Sequence, residues 1–283
     1  MRGILWILAS CITLSGVSVC SRSLGADADP WQLSFARSAI GFLAIIPWLL
    51  RFGLKSVSTQ HLGLHVNRAI YLTAAMYCGF YGFTHLPLAD ATGLYFARPL
   101  FIVVLSALWL GQTIGSYRWI AVVSGFLGML LVIRPASGGL QSGAWIPALG
   151  SFLIAVALLQ VKRMQNTESD ISIMFYSNAF GVILSAPFAW VAWHPLGSTE
   201  MLLLGLAGFL GVTSQACMVK AYRNAEPSML APLEYLQIPF TIALAFALFD
   251  ELPAALSIVG ILVIVTTGLL AGRKVSQNPP SAS

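Results

Sequence analysis

The sequence predicts an all-α integral membrane protein of ten transmembrane helices, arranged as two inverted five-helix repeats. Three observations lead there. Of its 283 residues, 58% are hydrophobic and 9% charged, with a mean hydropathy of +0.82, whereas soluble domains carry roughly 25% charged residues. Apolar stretches close to the ~20 residues that cross a bilayer as helix recur along the whole chain. The pattern Pro-x3-Ala-x3-Tyr-x3-Pro occurs twice, 140 residues apart: Pro87, Ala91, Tyr95, Pro99 and Pro227, Ala231, Tyr235, Pro239. Four-residue spacing lays each set along one face of a helix, and a duplicated helix in a membrane protein marks a transporter built from repeats.

The spans follow in order. Residues 3–21 follow Arg2 and could pass for a secretory leader. Removing them would leave nine helices and break the symmetry, so they are span 1. Residues 31–50 begin at Trp31 and stop at Arg51; 69–86 follow Arg68. Span 4, 88–110, comes after a tight hairpin at Pro87 and carries the first ladder. Residues 119–133 start at Trp119 and stop at Arg134-Pro135. In the second half, 144–161 stop at Lys162-Arg163, 171–193 at His194-Pro195 and 201–219 at Lys220. Span 9, 228–249, carries the second ladder, and 254–271 end before Arg273-Lys274. The repeats are expected at 3–134 and 144–272, with 273–283 a cytoplasmic tail. Because five is odd, the second half enters from the opposite side, which makes spans 4 and 9 antiparallel about an axis in the membrane plane.

Flanking residues support these borders. Seven of the eight tryptophans lie at or near predicted span ends, where an amphipathic ring favours the headgroup level. With the N-terminus inside, the cytoplasmic side receives Arg2, Arg51, Lys55, Arg68, Arg118, Lys162, Arg163, Lys220, Arg223, Arg273 and Lys274, against Arg22 and Arg134 outside. The formal charge of +5 is therefore a topology signal, and nucleic-acid binding needs no invoking. Cys11, Cys20, Cys78 and Cys217 lie in or at the end of predicted helices without metal-ligand spacing and read as buried thiols. Short loops and the lack of a glycosylation sequon suit a multi-pass protein of a bacterial inner membrane with both termini cytoplasmic.

Proline gives the ladder a mechanical reading. Pro99 and Pro239 lack the N–H that would bond the carbonyls of Tyr95 and Tyr235. Each is expected to act as a hinge, leaving a carbonyl for a neighbouring helix or a wet cavity to satisfy. Intramembrane charge is the second clue, since a charge at mid-bilayer costs at least ~2.5–3.5 kcal/mol and usually faces a cavity or a partner. Arg98 lies ~15 Å into span 4 with Ile238 as its repeat counterpart, and Glu234 enters span 9 from the other side with Leu94 as its counterpart. They meet opposite charges on a substrate, or each other. Arg37, whose long side chain could snorkel outward, joins them as a substrate-binding candidate. So do Tyr95, Tyr235, Gln215, Tyr77 and Asn178. Asp90 reads as a first-turn acid stabilised by the helix dipole.

An enzyme has little to stand on. His85 and Asp90 have the His-x4-Asp spacing of glycerolipid acyltransferases, but they straddle Pro87 in an outer hairpin with no acceptor-binding block after it. Short motifs of this kind match by chance. Gly16-Val-Ser18-Val resembles a rhomboid serine motif more loosely still. No catalytic residue, metal or cofactor is expected.

Two blocks carry a family resemblance. The first is Leu86-Pro-Leu-Ala-Asp-Ala-Thr-Gly-Leu-Tyr-Phe-Ala-Arg-Pro-Leu-Phe101, followed by Arg118-Trp and Gly125-Phe-Leu-Gly-Met-Leu-Leu-Val-Ile-Arg-Pro135. The second is Ala221-Tyr-Arg-Asn-Ala-Glu-Pro-Ser-Met-Leu-Ala-Pro-Leu-Glu-Tyr235, closed by Phe249-Asp-Glu-Leu-Pro253. They resemble the EamA family of the drug/metabolite transporter superfamily over most of residues 3–271. The resemblance implies secondary transport, usually export, of small metabolites such as amino acids, S-adenosylmethionine, flavins, metallophores and drugs. One position departs: where the family usually has Glu after the Leu-Gly ending span 4, this chain has Gln112, while Glu251 keeps the acid after span 9.

The expected activity is alternating-access transport of a small polar or amphiphilic metabolite, such as an amino acid or derivative, around a midplane cavity between spans 4 and 9. A membrane sensor or assembly protein that moves no solute is the other class. Expected partners are the metabolite and the lipid bilayer; proton coupling and a homodimer stay open.

Overall fold

The computed structural model describes residues 2–24, 29–85, 94–133, 143, 145–249, 258–267 and 270, and among these every regular element is helical. α1 is Arg2–Leu24 and α2 Pro30–Phe52. Asp29 caps α2 by accepting from the Trp31 N–H at 2.8 Å, with Pro30 preset in the first turn. A 3-10 turn, Leu54–Val57, leads to α3, Leu62–His85. α4, Arg98–Leu110, ends at Gly111, whose φ of 63° is the left-handed cap conformation that glycine adopts without strain. α5 is Ser116–Ile133, α6 Trp145–Arg163, α7 Asp170–Val191 and α8 Ser198–Asn224. Lys162 and Arg163 complement the dipole at the end of α6, and Ser169 caps α7 through the Ser172 N–H at 3.0 Å. α9 is Pro227–Glu234, α10 Gln237–Phe249 and α11 Ile258–Thr267.

The ten expected spans map in order onto these helices, with span 9 divided into α9 and α10. Six stretches among the described residues are long and apolar enough to cross a membrane: 3–20, 31–52, 145–163, 170–191, 198–224 and 227–248. One border moved earlier in sequence. α3 begins at Leu62 rather than Ala69, because His65 and Arg68 of its first turns are buried against the second half. Arg68, expected at the cytoplasmic border, is consequently 2% exposed inside the bundle.

Both ladder helices break where proline removes a donor. Before α4 a turn occupies Phe96–Ala97; between α9 and α10 a turn occupies Tyr235–Leu236. The Tyr235 carbonyl does not stay open as expected. It accepts from the Ile238 N–H at 3.0 Å, the three-residue closure of a tightened turn. α1 seals the break from the side. The Cys11 thiol lies 3.7 Å from the Leu233 carbonyl, and Ser15 Oγ donates to the Gln237 carbonyl at 3.1 Å. Pro87, Ala91, His85 (beyond its backbone), Asp90, Glu251 and the 273–283 tail lie outside the described residues.

Packing follows the repeat. α1 on α8 is answered by α6 on α3, α2 on α8 by α7 on α3, and α1 on α10 by α6 on α4. Meanwhile α2 meets its own counterpart α7, and α4 meets α9. The 140-residue offset continues into α2 and α7, where Pro47 matches Pro187 and Gly41 matches Gly181. A Cβ at Gly41 would strike Asn178, and one at Gly181 would strike Ser38, the counterpart of Asn178. The two contacts are one contact made twice.

Candidate functional site

The centre of the bundle holds a buried ion pair. Arg98, at the start of α4, places Nε 2.7 Å from Glu234 Oε2 at the end of α9, and the side chains are 4% and 1% exposed. Position explains both: each is carried to the interior by a ladder helix that stops beside it. The Tyr222 hydroxyl, at the end of α8, donates to Glu234 Oε1. The carboxylate thus receives donors on both oxygens, which is what allows an acid to remain charged in an apolar interior. The guanidinium carbon of Arg98 stands 5.8 Å from the centre of the Tyr95 ring. Of the two readings of Arg98 and Glu234, mutual pairing is the one present here.

The remaining candidates fall into separate places. Tyr235 is fully buried among Phe96, Met129, Ile238 and Ile264. Its ring occupies the space left by Gly125 of α5, where a Cβ would come within 2.6 Å, and its hydroxyl has no hydrogen-bond partner among the described residues. Tyr77 stacks on Trp31 at 4.7 Å, and Phe188 covers Trp31 from α7 at 4.4 Å. Trp31, expected as an interfacial anchor, therefore joins three helices instead; Trp145 and Trp190 are the strongly exposed rings. Asn178 donates to Gln215 Oε1 at 3.3 Å and to the Met174 carbonyl at 2.8 Å. Arg37 lies over Gly211 of α8 and reaches inward to Met76 Sδ of α3 at 3.2 Å, rather than snorkelling outward.

A second polar layer was missed in the sequence. At the basic end of the bundle, His65 Nε2 lies 3.1 Å from Glu168 Oε2, and Thr59 donates to Glu168 Oε1 at 2.6 Å. Arg68 donates to the Ala157 carbonyl at 3.2 Å and to Ser177, and Gln160 to Asn67 at 2.9 Å. Nearby, Arg118 of α5 binds Glu226 at 3.0 Å and Ser228 at 2.9 Å. Ser228 in turn donates to Gln112 at 2.8 Å, so the neutral residue at the departing position is an acceptor between the halves. Arg223 ties Asp170 at 2.8 Å and the carbonyls of Glu168 and Gln165 at 2.6 and 2.7 Å. Most of these contacts join residues from opposite halves. Tyr222 had a signal in the Ala221-Tyr-Arg-Asn block; His65, Arg68 and Glu168 had none, since hydropathy places them in water.

Among the described residues, no group of three or more His, Cys, Asp or Glu side chains forms a metal site. The arrangement offers charge held in a buried interior, helices broken beside it, and polar side chains distributed over both halves. That is the material of a binding site for a polar solute.

Known proteins agree with this architecture. The chain is 28% identical over 269 residues to an S-adenosylmethionine uptake transporter of Rickettsia conorii, covering 95% of this chain and 92% of the relative. It is 28% identical to a riboflavin transporter of Rhizobium johnstonii (96% and 91% covered) and 27% identical to the pseudopaline exporter CntI of Pseudomonas aeruginosa (96% of each). A solved structure superposes with a TM-score of 0.82 over 96% of this chain and 98% of the other at 20% identity, a likeness of fold. The model of the EamA-like transporter family matches twice, over residues 1–134 and 141–272. The chain is therefore a multi-pass membrane protein of the EamA-like transporter family, a family of transporters rather than enzymes.

Proposed function

We propose that this protein is a secondary transporter that moves a small polar or amphiphilic metabolite, such as an amino acid or derivative, by alternating access. The two moving units are the repeats at 3–134 and 144–272, and the turns at Phe96–Ala97 and Tyr235–Leu236, set by Pro99 and Pro239, are their hinges. The observation that carries this reading is the buried Arg98–Glu234 pair, which joins the two repeats at those turns. A charge pair in hydrocarbon is costly, and a fold that keeps one at its centre uses it for cargo, coupling or switching. We take the basic end as cytoplasmic, with both termini there and the protein in a bacterial inner membrane. The relatives' named cargoes are all small metabolites. They are named for both uptake and export, and export is our working direction.

The test is flux through proteoliposomes loaded with a broad metabolite panel, with melting in detergent measured alongside. Wild type is expected to move at least one solute. Glu234→Gln and Arg98→Ala should each abolish most flux and lower stability by about 3–5 kcal/mol, the cost of stranding one partner of a buried pair. The double exchange of Arg98 and Glu234 should recover melting; recovered flux would mean that pairing alone matters. An imposed pH gradient that drives flux in wild type and fails in Glu234→Gln would establish proton coupling. No flux of any solute, or single variants equal to wild type, would sink the proposal.

A further inference from the structure

Three arginines lie inside this bundle, and their surroundings differ. Arg98 is neutralised by Glu234, and Arg68 is met by the Ala157 carbonyl and the Ser177 hydroxyl. Arg37 has no carboxylate beside it among the described residues. It sits ~10 Å of helical rise from the start of α2, and its polar contact among the described residues is a thioether, Met76 Sδ at 3.2 Å. Sulfur is a weak acceptor and does not compensate a guanidinium. The residue is partly exposed. Gly211 makes that position possible, since a Cβ there would stand 2.8 Å from Arg37 Nε.

One turn deeper on the same helices lie Gly41 and Gln215, with Asn178 between them. Gln215 accepts from Asn178 through Oε1 at 3.3 Å. Its Nε2 group, two N–H donors, has no partner among the described residues. A forked cation and an amide donor one turn away, with Tyr95 in electrostatic reach of Arg37 and its ring beneath Arg98, match one kind of guest. A guanidinium binds a carboxylate through two parallel hydrogen bonds. A phosphate dianion would bring more charge than this single cation offsets.

We propose that Arg37, with the Gln215 amide, is the anion subsite of the transport cavity and takes the carboxylate of the solute, so that cargo carries a free carboxylate group. This rests on the carrier reading above. Arg98 has its counter-ion within the chain; for Arg37 the solute is that counter-ion.

Chemical reactivity tests this apart from flux. Purified protein in detergent is treated with phenylglyoxal and modification is read by mass spectrometry at both arginines. Arg37 should react, and Arg98 should react on the order of 100-fold more slowly because its pair must first open. L-Phenylalanine, L-tryptophan, L-methionine and inorganic phosphate are then added, each amino acid also as its amide. At least one amino acid should slow modification of Arg37 severalfold, and its amide and phosphate should not. Arg37→Gln in proteoliposomes should melt near wild type and lose flux of carboxylate solutes, with Arg37→Lys retaining part. An unreactive Arg37, protection by amides or phosphate as strong as by acids, or no protection by any of the acids overturns the subsite. Wild-type flux in that case leaves the carrier standing, while protection without any flux would refute the carrier and keep the anion site.

Discussion

At the scale of single residues, the informative positions are those where a side chain's chemistry conflicts with its surroundings and something nearby resolves the conflict. Glu234 is resolved by Arg98 and Tyr222, and the bulk of the Tyr235 ring is accommodated by a glycine on α5. That glycine yields a clear expectation. Gly125→Ala puts a methyl 2.6 Å from a ring that is fully buried, so overpacking should destabilise by about 1–3 kcal/mol. Gly63→Ala, with nothing within 4 Å, should stay within about 0.5 kcal/mol. Melting of both variants in one detergent decides it, and equal melting points would refute the packing argument. Arg98 and Glu234 were legible in the sequence because a charge inside an apolar run stands out. Their partner Tyr222 carried only the signal of the Ala221-Tyr-Arg-Asn block, because a tyrosine at a span end otherwise looks like any interfacial ring. Glu168 was illegible for another reason: only the fold brings the α6–α7 turn over the first turns of α3.

At the scale of elements, proline position decided more than hydropathy did. The repeat in the ladder foretold two equivalent bends, and both helices break within a residue of equivalent places. The fate of the freed carbonyl did not follow, because a three-residue closure and the hydroxyl and thiol of α1 cover the gap. Pro99→Ala and Pro239→Ala should therefore leave the fold intact, since each proline stands in the first turn of the helix that follows its break, where it costs the helix little. Flux should nonetheless fall in both. Variants that melt at or above wild type and transport as fast would mean that the breaks are packing features only. Helix existence was readable throughout, since an apolar run of spanning length has few alternatives in lipid. The border of α3 was not, because its polar residues find partners in the other half rather than water.

At the scale of the molecule, the two halves touch through a buried ion pair and through a polar layer at the basic end. Arg118–Glu226 belongs to that layer and is about a quarter to a third exposed, so its loss should change stability by under ~1 kcal/mol. Its role in motion is testable separately. Cysteines at 118 and 226, joined by a short bismaleimide, should stop flux if this end must open in each cycle; the native cysteines are buried. Undiminished flux after cross-linking would exclude opening there. The expected division of the chain at 3–134 and 144–272 rests on the 140-residue offset; the family model matches over 1–134 and 141–272. The central pair also bears on biogenesis. Arg98 is synthesised 136 positions before Glu234, which at roughly 5–20 residues per second is an interval of several seconds to half a minute. During it the first repeat sits in the bilayer with its arginine uncompensated. The nascent half is thus a substrate for quality control until the second half arrives, and completion of the chain is what makes its own beginning stable.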